Sequence, residues 1–304
     1  KFLGFSARAA LVNMTAIVTT APASIHQYVM NGKAPLWKVN KALALAGKDA
    51  AKFMAGKELT GDDMTFLVEE KRKGWDNPQY TRDMISKIGS TGNMAWAMTM
   101  DGAMWMFGKT EQWNRLTTML AAYRLAREAG KNHLQASELA KTASDKAHGI
   151  YGRSTLPSIA WGRNPAAKIA QMLYVFSKFA HNYMQMLYDL GFRKHNWKAF
   201  SYALLAPIFL SGVSAWPLKD AVFMPLIGVL LSILGIKDRD RDTEKWLWDI
   251  TRNNLGSGAE RIGRYGALGG LGFDVSGSLS IGVGLPRDYW EWGGAIGGVA
   301  KEGM

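Results

Sequence analysis

The stretch from Ala199 to Ile236 holds only one adjacent pair of charges, Lys219 and Asp220, and it constrains the chain more than any other segment. The pair divides it into two uncharged runs, AFSYALLAPIFLSGVSAWPL and AVFMPLIGVLLSILGI, with basic residues just outside both outer ends. This pattern predicts a hydrophobic helical hairpin. A chain that can bury apolar surface elsewhere does not need such a block for folding alone, so the block points to lipid or to a very apolar partner surface.

A helix that crosses a hydrocarbon core of about 30 Å needs about 20 apolar residues. Ala199 to Leu218 meets that length with none to spare, and Ala221 to Ile236 falls short of it. Pro207 and Pro225 lie inside the two runs, a placement tolerated where membrane helices bend or re-enter. Trp197 and Trp216 bracket the first run as interfacial aromatics do, and Lys194, Lys198, Lys237, Arg239 and Arg241 fall on one common side. The residues expected to meet lipid are Phe200, Leu204, Leu205, Ile208, Phe209, Leu210, Trp216, Phe223, Leu226, Ile227, Leu230, Leu231, Ile233 and Leu234. The competing expectation is a pair of core helices in a large assembly, never touching lipid. The short second run, the prolines and the charged tip argue against a permanently inserted anchor and for an element that meets lipid conditionally.

Helix signals dominate from residue 1 to about 198, and no pair of alternating strands joined by a tight turn occurs. The expected fold is all-α: an elongated multi-helix bundle, the hydrophobic hairpin and an irregular glycine-rich C-terminal tail. This divides the chain into a helical body at 1–198, the hairpin at 199–236, and a charged turn with an assembly tail at 237–304. With 304 residues, 48% of them hydrophobic, the chain is long and apolar enough for a real core. Its first residue is Lys1, and we expect it to be a piece of a longer polypeptide.

The first helix is expected from Ser6 to Met30, kinked at Pro22 and stopped by Asn31-Gly32. A second opens at Pro35 and sets Leu36, Val39, Leu43 and Ala46 on one face before Gly47 and Gly56 weaken it. Thr60 is expected to cap a short helix ending near Lys71. A methionine-rich helix pair is expected over Pro78–Phe107. Thr110–Ala129 is an amphipathic pattern, with Trp113, Leu116, Leu120 and Tyr123 on one face and Arg115, Arg124 and Arg127 on much of the rest. A helix over Gln135–His148 and a long one capped by Asn164 and ended by Gly191 complete the body. In the tail, from Leu255 on, Gly293 with Gly297 and Gly294 with Gly298 form overlapping small-xxx-small pairs that let helices approach closely.

Lys and Arg number 37 against 25 Asp and Glu, a formal charge of +12 that favours polyanionic surroundings through long-range attraction. Arg115, Arg124, Arg127 and Lys168 are the candidates for phosphate contact. In the absence of any zinc-finger or RNP-type reading motif, such contact is non-specific and salt-sensitive. Cysteine is absent, which removes disulfides, thiolate metal sites and thiol nucleophiles. The five histidines lie far apart, and no P-loop, dinucleotide-binding or nucleophile-elbow motif occurs. Asp62, Asp63, Glu69 and Glu70 are the one carboxylate cluster, read as a helix start and a solvated face. Enzymatic activity, a cofactor, a metal and a small-molecule substrate are therefore not expected.

Four segments carry a resemblance. GFSARAALVNMTAIVTTAP, NRLTTMLAAYRLAREAG, YGRSTLPSIAWGRNPAAKIAQMLYVFSKFAHNYMQMLYDL and RYGALGGLGFDVSGSLSIG resemble, in that order, a C-terminal helical region of the phage large polyvalent proteins, several of which resemble internal virion or DNA-ejection proteins of tailed phages. The resemblance implies an oligomer packaged inside the virion with double-stranded DNA, set near the portal or other internal proteins. On delivery it would help form a conduit across the host envelope, reaching the inner membrane. It carries over no active site.

Overall fold

The computed structural model describes residues 13–76, 94–149, 182–215, 224–233 and 243–271, with 94–104, 106, 107, 215 and 230 described by backbone alone. Among the described residues there is no strand, and the fold is all-α. The described residues up to Ala203 belong to one compact unit and those from Leu204 to a second.

In the first unit α1 (Ala16–Tyr28), α2 (Leu36–Met54), α3 (Asp62–Lys73) and α5 (His133–His148) pack around α4 (Met94–Glu128). The amphipathic helix expected from Thr110 is the C-terminal part of this single 35-residue helix, about 50 Å long. Its polar face is covered as well as its apolar one, since every residue from Asn114 to Tyr123 is buried. Small residues permit this. Ala136, Ala140, Ala143 and Ala147 give α5 a flat buried face, and Ser24 of α1 donates to the Ala143 carbonyl at 2.7 Å. Phe66 of α3 stacks on Tyr123 of α4 with ring centroids 4.1 Å apart. Burying side chains of this size favours folding by about 1.5–3 kcal/mol each.

The ends of these helices follow local chemistry. Asn31 and Gly32 take left-handed φ values of 48° and 74°, stopping α1 where expected. Asn132 caps α5 through a capping box with Gln135. α3 carries Asp62 and Asp63 in its first turn and Lys71, Arg72 and Lys73 in its last, a distribution that suits the helix dipole. Thr60 does not cap α3; Gly61 holds the N-cap position with no side-chain bond. Gly47 does not weaken α2 either. A Cβ there would lie 3.1 Å from the Trp113 ring, so the glycine makes room for Trp113, whose Nε1 donates to the Gly47 carbonyl at 3.0 Å.

Residues 182–188 are helical and lead into a π-helical turn, Asp189–Arg193, in place of the stop expected at Gly191. A Cβ on Gly191 would lie 3.0 Å from the Phe200 ring, which explains the glycine by close packing. α6 (Trp197–Ser211) follows, with Asn196 accepting from the Ala199 N–H at its start. Asn196 Nδ2 also donates to His26 Nδ1 and to Gln27 Oε1, at 3.0 and 2.7 Å, which ties this corner to the end of α1.

Both helix-interior prolines are compensated in the same way. Pro22 has no N–H to give the Val18 carbonyl, and the Tyr202 hydroxyl donates to that oxygen at 2.8 Å. Pro207 likewise leaves the Ala203 carbonyl without its helical donor, and the Tyr183 hydroxyl donates to it at 2.7 Å. Pro225 lies in the first turn of its helix, where no donor is needed.

The second unit contains the rest of α6, a short 3-10 turn at Val213–Ala215, α7 (Met224–Ile233) and α8 (Thr243–Gly270). α8 bends at Gly256 and Gly266, both at positive φ. Trp248 packs on Gly263 and Arg252 grips Glu260 with two bonds of 2.7 and 3.0 Å, so the chain folds back on itself at Gly256. Gly212 and Gly266 meet backbone to backbone, with no room for a Cβ on either. The glycine-rich stretch expected to be irregular from Leu255 is thus helical through Gly270.

Tyr183→Phe is expected to leave the buried Ala203 carbonyl unpaired and to cost about 1–3 kcal/mol, measured by urea denaturation. Adding Pro207→Ala restores a helical N–H to that oxygen, so the double variant should recover most of the loss.

Candidate functional site

The block singled out by its lack of charge stays apolar on its outer surface after folding. In the second unit Leu205 and Phe209 of α6 are 56% and 74% exposed, and Leu226, Val229 and Ile233 of α7 are 56%, 57% and 74% exposed. Leu204, Ile208, Leu210, Ile227 and Leu231 are half-buried beside them. Large exposed apolar side chains on two short helices make a candidate interaction surface; α8 of the same unit exposes Ile250, Leu255, Ile262 and Leu271 as well. Val229 belongs to the candidate surface although sequence reasoning passed it over. Phe200 is half-buried in the first unit, and Trp216, Phe223, Leu234 and the side chain of Leu230 lie outside the described residues, as do Gly293, Gly294, Gly297 and Gly298.

The first run does not form one 20-residue helix. α6 is 15 residues long, about 22 Å, and it stops at Ser211 because Gly212 turns the backbone to φ +74°. Among the described residues no helix is long and apolar enough to cross a membrane.

The arginines expected to meet phosphate are engaged by the chain itself. Arg115 is fully buried, donating from Nη2 to the Gly149 carbonyl at 2.9 Å and lying against Glu111 and Asp145. Arg124 donates to Asp49 and Asp63 at 2.7 and 2.6 Å, and Arg127 to Asp62 at 3.1 Å. Acids 61 to 75 residues away in sequence provide these bonds, and no local pattern around α4 announces them. Lys168 lies outside the described residues.

Two groupings bring polar side chains together. Glu69, His133 and Tyr123 form a chain, with His133 Nε2 3.1 Å from Glu69 and Nδ1 2.9 Å from the Tyr123 hydroxyl. Tyr123 is buried and stacked, so its oxygen has no approach for a substrate, and burial raises its pKa. In the second unit, Glu244, Lys245, Trp248, Asp249, Arg252, Glu260 and Arg264 line an open cleft of about 450 Å³. The Arg252 bonds hold Glu260 ionised, with its pKa lowered, which suits a structural anion and not a proton donor. No group of three His, Asp or Glu among the described residues is placed to hold a metal ion.

The corner between the π-helical turn and α6 forms a further surface, wholly in the first unit. Tyr188, Phe192, Trp197 and Phe200 follow one another in space, with centroids 5.6, 6.3 and 5.5 Å apart. The first three are 56%, 60% and 54% exposed, and Arg193, Lys194 and Lys198 are exposed among them. Asp189, the acid of this corner, is buried and paired with Arg193 at 2.9 Å and Lys146 at 3.7 Å. Sequence reasoning found Trp197 and the two lysines but missed Tyr188 and Phe192, whose four-residue spacing just ahead of Arg193-Lys194 was the available signal.

No family model matches the chain, and no curated protein or solved structure matches it.

Two buried groups make stability depend on pH with opposite signs. Burial and the nearby Arg115 charge lower the pKa of His148 to about 3, from 6.5 when unfolded. The unfolded chain therefore binds the extra proton first as pH falls, and stability drops from about pH 6.5 towards 3. Burial raises Glu70 from 4.5 to about 7, although Lys73 donates to it at 3.0 Å. Here the folded chain holds the extra proton, so stability falls as pH rises from about 4.5 to 7. Thermal melts should show Glu70→Gln gaining stability relative to wild type above pH 7, with no gain at pH 4. His148→Gln should lose the destabilisation that wild type shows between pH 6 and 4.

Proposed function

We propose that this chain is a non-enzymatic, oligomerising internal protein of a tailed-phage virion, set near the portal. It helps form a conduit for genome delivery across the host envelope, with 199–236 as its membrane-active element. The observation that carries the reading is the exposed apolar surface of that block in the folded chain, at Leu205, Phe209, Leu226, Val229 and Ile233. Segment order and composition that resemble the phage large polyvalent proteins support it, and so does the +12 charge, which suits a body stored beside packaged double-stranded DNA without base-specific contacts. Arg115, Arg124 and Arg127 are paired within the chain, so in this reading DNA contact rests mainly on long-range attraction.

The short helices refine the membrane role. α6 at about 22 Å is shorter than a hydrocarbon core of about 30 Å. In the proposed role the block enters lipid as a bent hairpin after repacking, and in storage its apolar face meets neighbouring protein, including other copies of the chain. The second reading, a virion scaffold that never enters lipid, is favoured by the same short helices.

Wild-type protein should partition into liposomes. Leu205→Asp, Phe209→Asp and Leu226→Asp together should abolish insertion, read as release of an entrapped dye, and leave virion incorporation intact. Wild type that ignores liposomes at neutral, acidic and mildly denaturing conditions would leave the scaffold reading standing.

A further inference from the structure

We infer that the corner at residues 188–198 is a docking site for anionic lipid headgroups, used by the folded protein before the hydrophobic block repacks. The inference rests on the reading that lipid is the partner, but it uses different residues, in the first unit. Four observations carry it.

The first is the exposed aromatic area. Tyr188, Phe192 and Trp197 each leave more than half of their surface in solvent, an unusual exposure for three adjoining large rings. Rings with an apolar body and a polar tip, as in Tyr and Trp, favour the headgroup level of a bilayer. The second is the charge. Arg193, Lys194 and Lys198 surround the rings, while Asp189 is buried and already neutralised by Arg193 and Lys146. His195 is exposed between them and adds charge only when protonated. The outward field of the corner is therefore positive.

The third observation is rigidity. The π-helical turn, the seat of Phe200 on Gly191, and the three bonds made by the Asn196 side chain hold the corner in shape. A surface fixed beforehand loses little freedom on binding. The fourth is ring geometry, which favours lipid over single-stranded nucleic acid. Tyr188 and Phe192 stack at 27°, while Phe192 meets Trp197 at 74° and Trp197 meets Phe200 at 80°, so ring faces are used inside the cluster, by stacking or by a ring edge. Base stacking needs free parallel faces. A cluster whose rings close on one another instead offers an apolar patch, with exposed cations at Arg193, Lys194 and Lys198 next to it in the chain.

The experiment uses the whole chain and two vesicle types, phosphatidylcholine alone and phosphatidylcholine with phosphatidylglycerol, read by co-sedimentation at neutral pH. Wild type should prefer the anionic vesicles. Each cation near an anionic surface contributes about fivefold, so Lys194→Ala with Lys198→Ala should bind them roughly 25-fold more weakly and phosphatidylcholine equally well. Phe192→Ser with Trp197→Ser should weaken binding to both. The Leu205, Phe209 and Leu226 aspartate variant should still dock on anionic vesicles while failing to release an entrapped dye. The two lysines are exposed and make no contact that the fold needs, so their variant tests the site even where the aromatic pair fails to fold. Lysine variants that bind as wild type does would overturn the inference and leave the role of 199–236 intact. Wild type that binds a single-stranded oligonucleotide and neither vesicle would overturn it as well, and would point to stacking.

Discussion

The first unit depends on covering residues 114–123 of α4 on all sides while they carry the Arg115 guanidinium inside. A buried cation is costly unless it is paired and hydrogen-bonded. Glu111 sits one turn back on the same helix, but Asp145 and the Gly149 carbonyl come from α5 and its end, so solvating Arg115 fixes how α5 lies along α4. The same charge helps to keep His148 neutral beside Thr118 at 2.8 Å. Alanine spacing on α5 then becomes a requirement, because only a flat face brings Asp145 and Gly149 close enough. The burial that stabilises the helix pair and the polar contacts that orient it are thus one arrangement.

The helix stop at Asn31-Gly32 was legible because a left-handed turn needs only neighbours; the Asn132–Gln135 capping box is equally local, and it starts the helix that was expected only from Gln135. Glycines inside helices misled for the opposite reason. Gly47 read as a weak point and Gly191 as a stop, yet each faces a ring, from Trp113 and Phe200 respectively, as does Gly263 with Trp248; for Gly47 and Gly263 the ring lies on another helical segment. Nothing within a few residues reveals such a partner. The arginines of α4 show the same limit, since basic residues on a helix look alike until Asp49, Asp62 and Asp63 arrive from α2 and α3. The apolar block was legible as composition, but the length of its first helix was set by Gly212 meeting Gly266 across the second unit. The aromatic corner was half legible. Its tryptophan and lysines stood out, while Tyr188 and Phe192 were hidden in a helical pattern that the π-helical turn re-aims.

Prolines give the clearest link from sequence to a conditional role. In a lipid-embedded helix a carbonyl orphaned by proline must find a donor from a neighbouring helix, a local side chain or water. Here Ala203 takes its donor from Tyr183 and Val18 takes one from Tyr202, both hydroxyls lying in the first unit. The first part of α6 is therefore committed to protein by bonds specific to this packing. Its continuation carries Leu205 and Phe209 outward with no comparable polar tie among the described residues. Moving the apolar part into lipid while keeping the Tyr183 bond requires the helix to hinge near Pro207, where the missing N–H already makes bending easy. In the proposed role Pro207 is the point where α6 bends, its first turns staying bonded to Tyr183 and, through Tyr202, to the Val18 carbonyl.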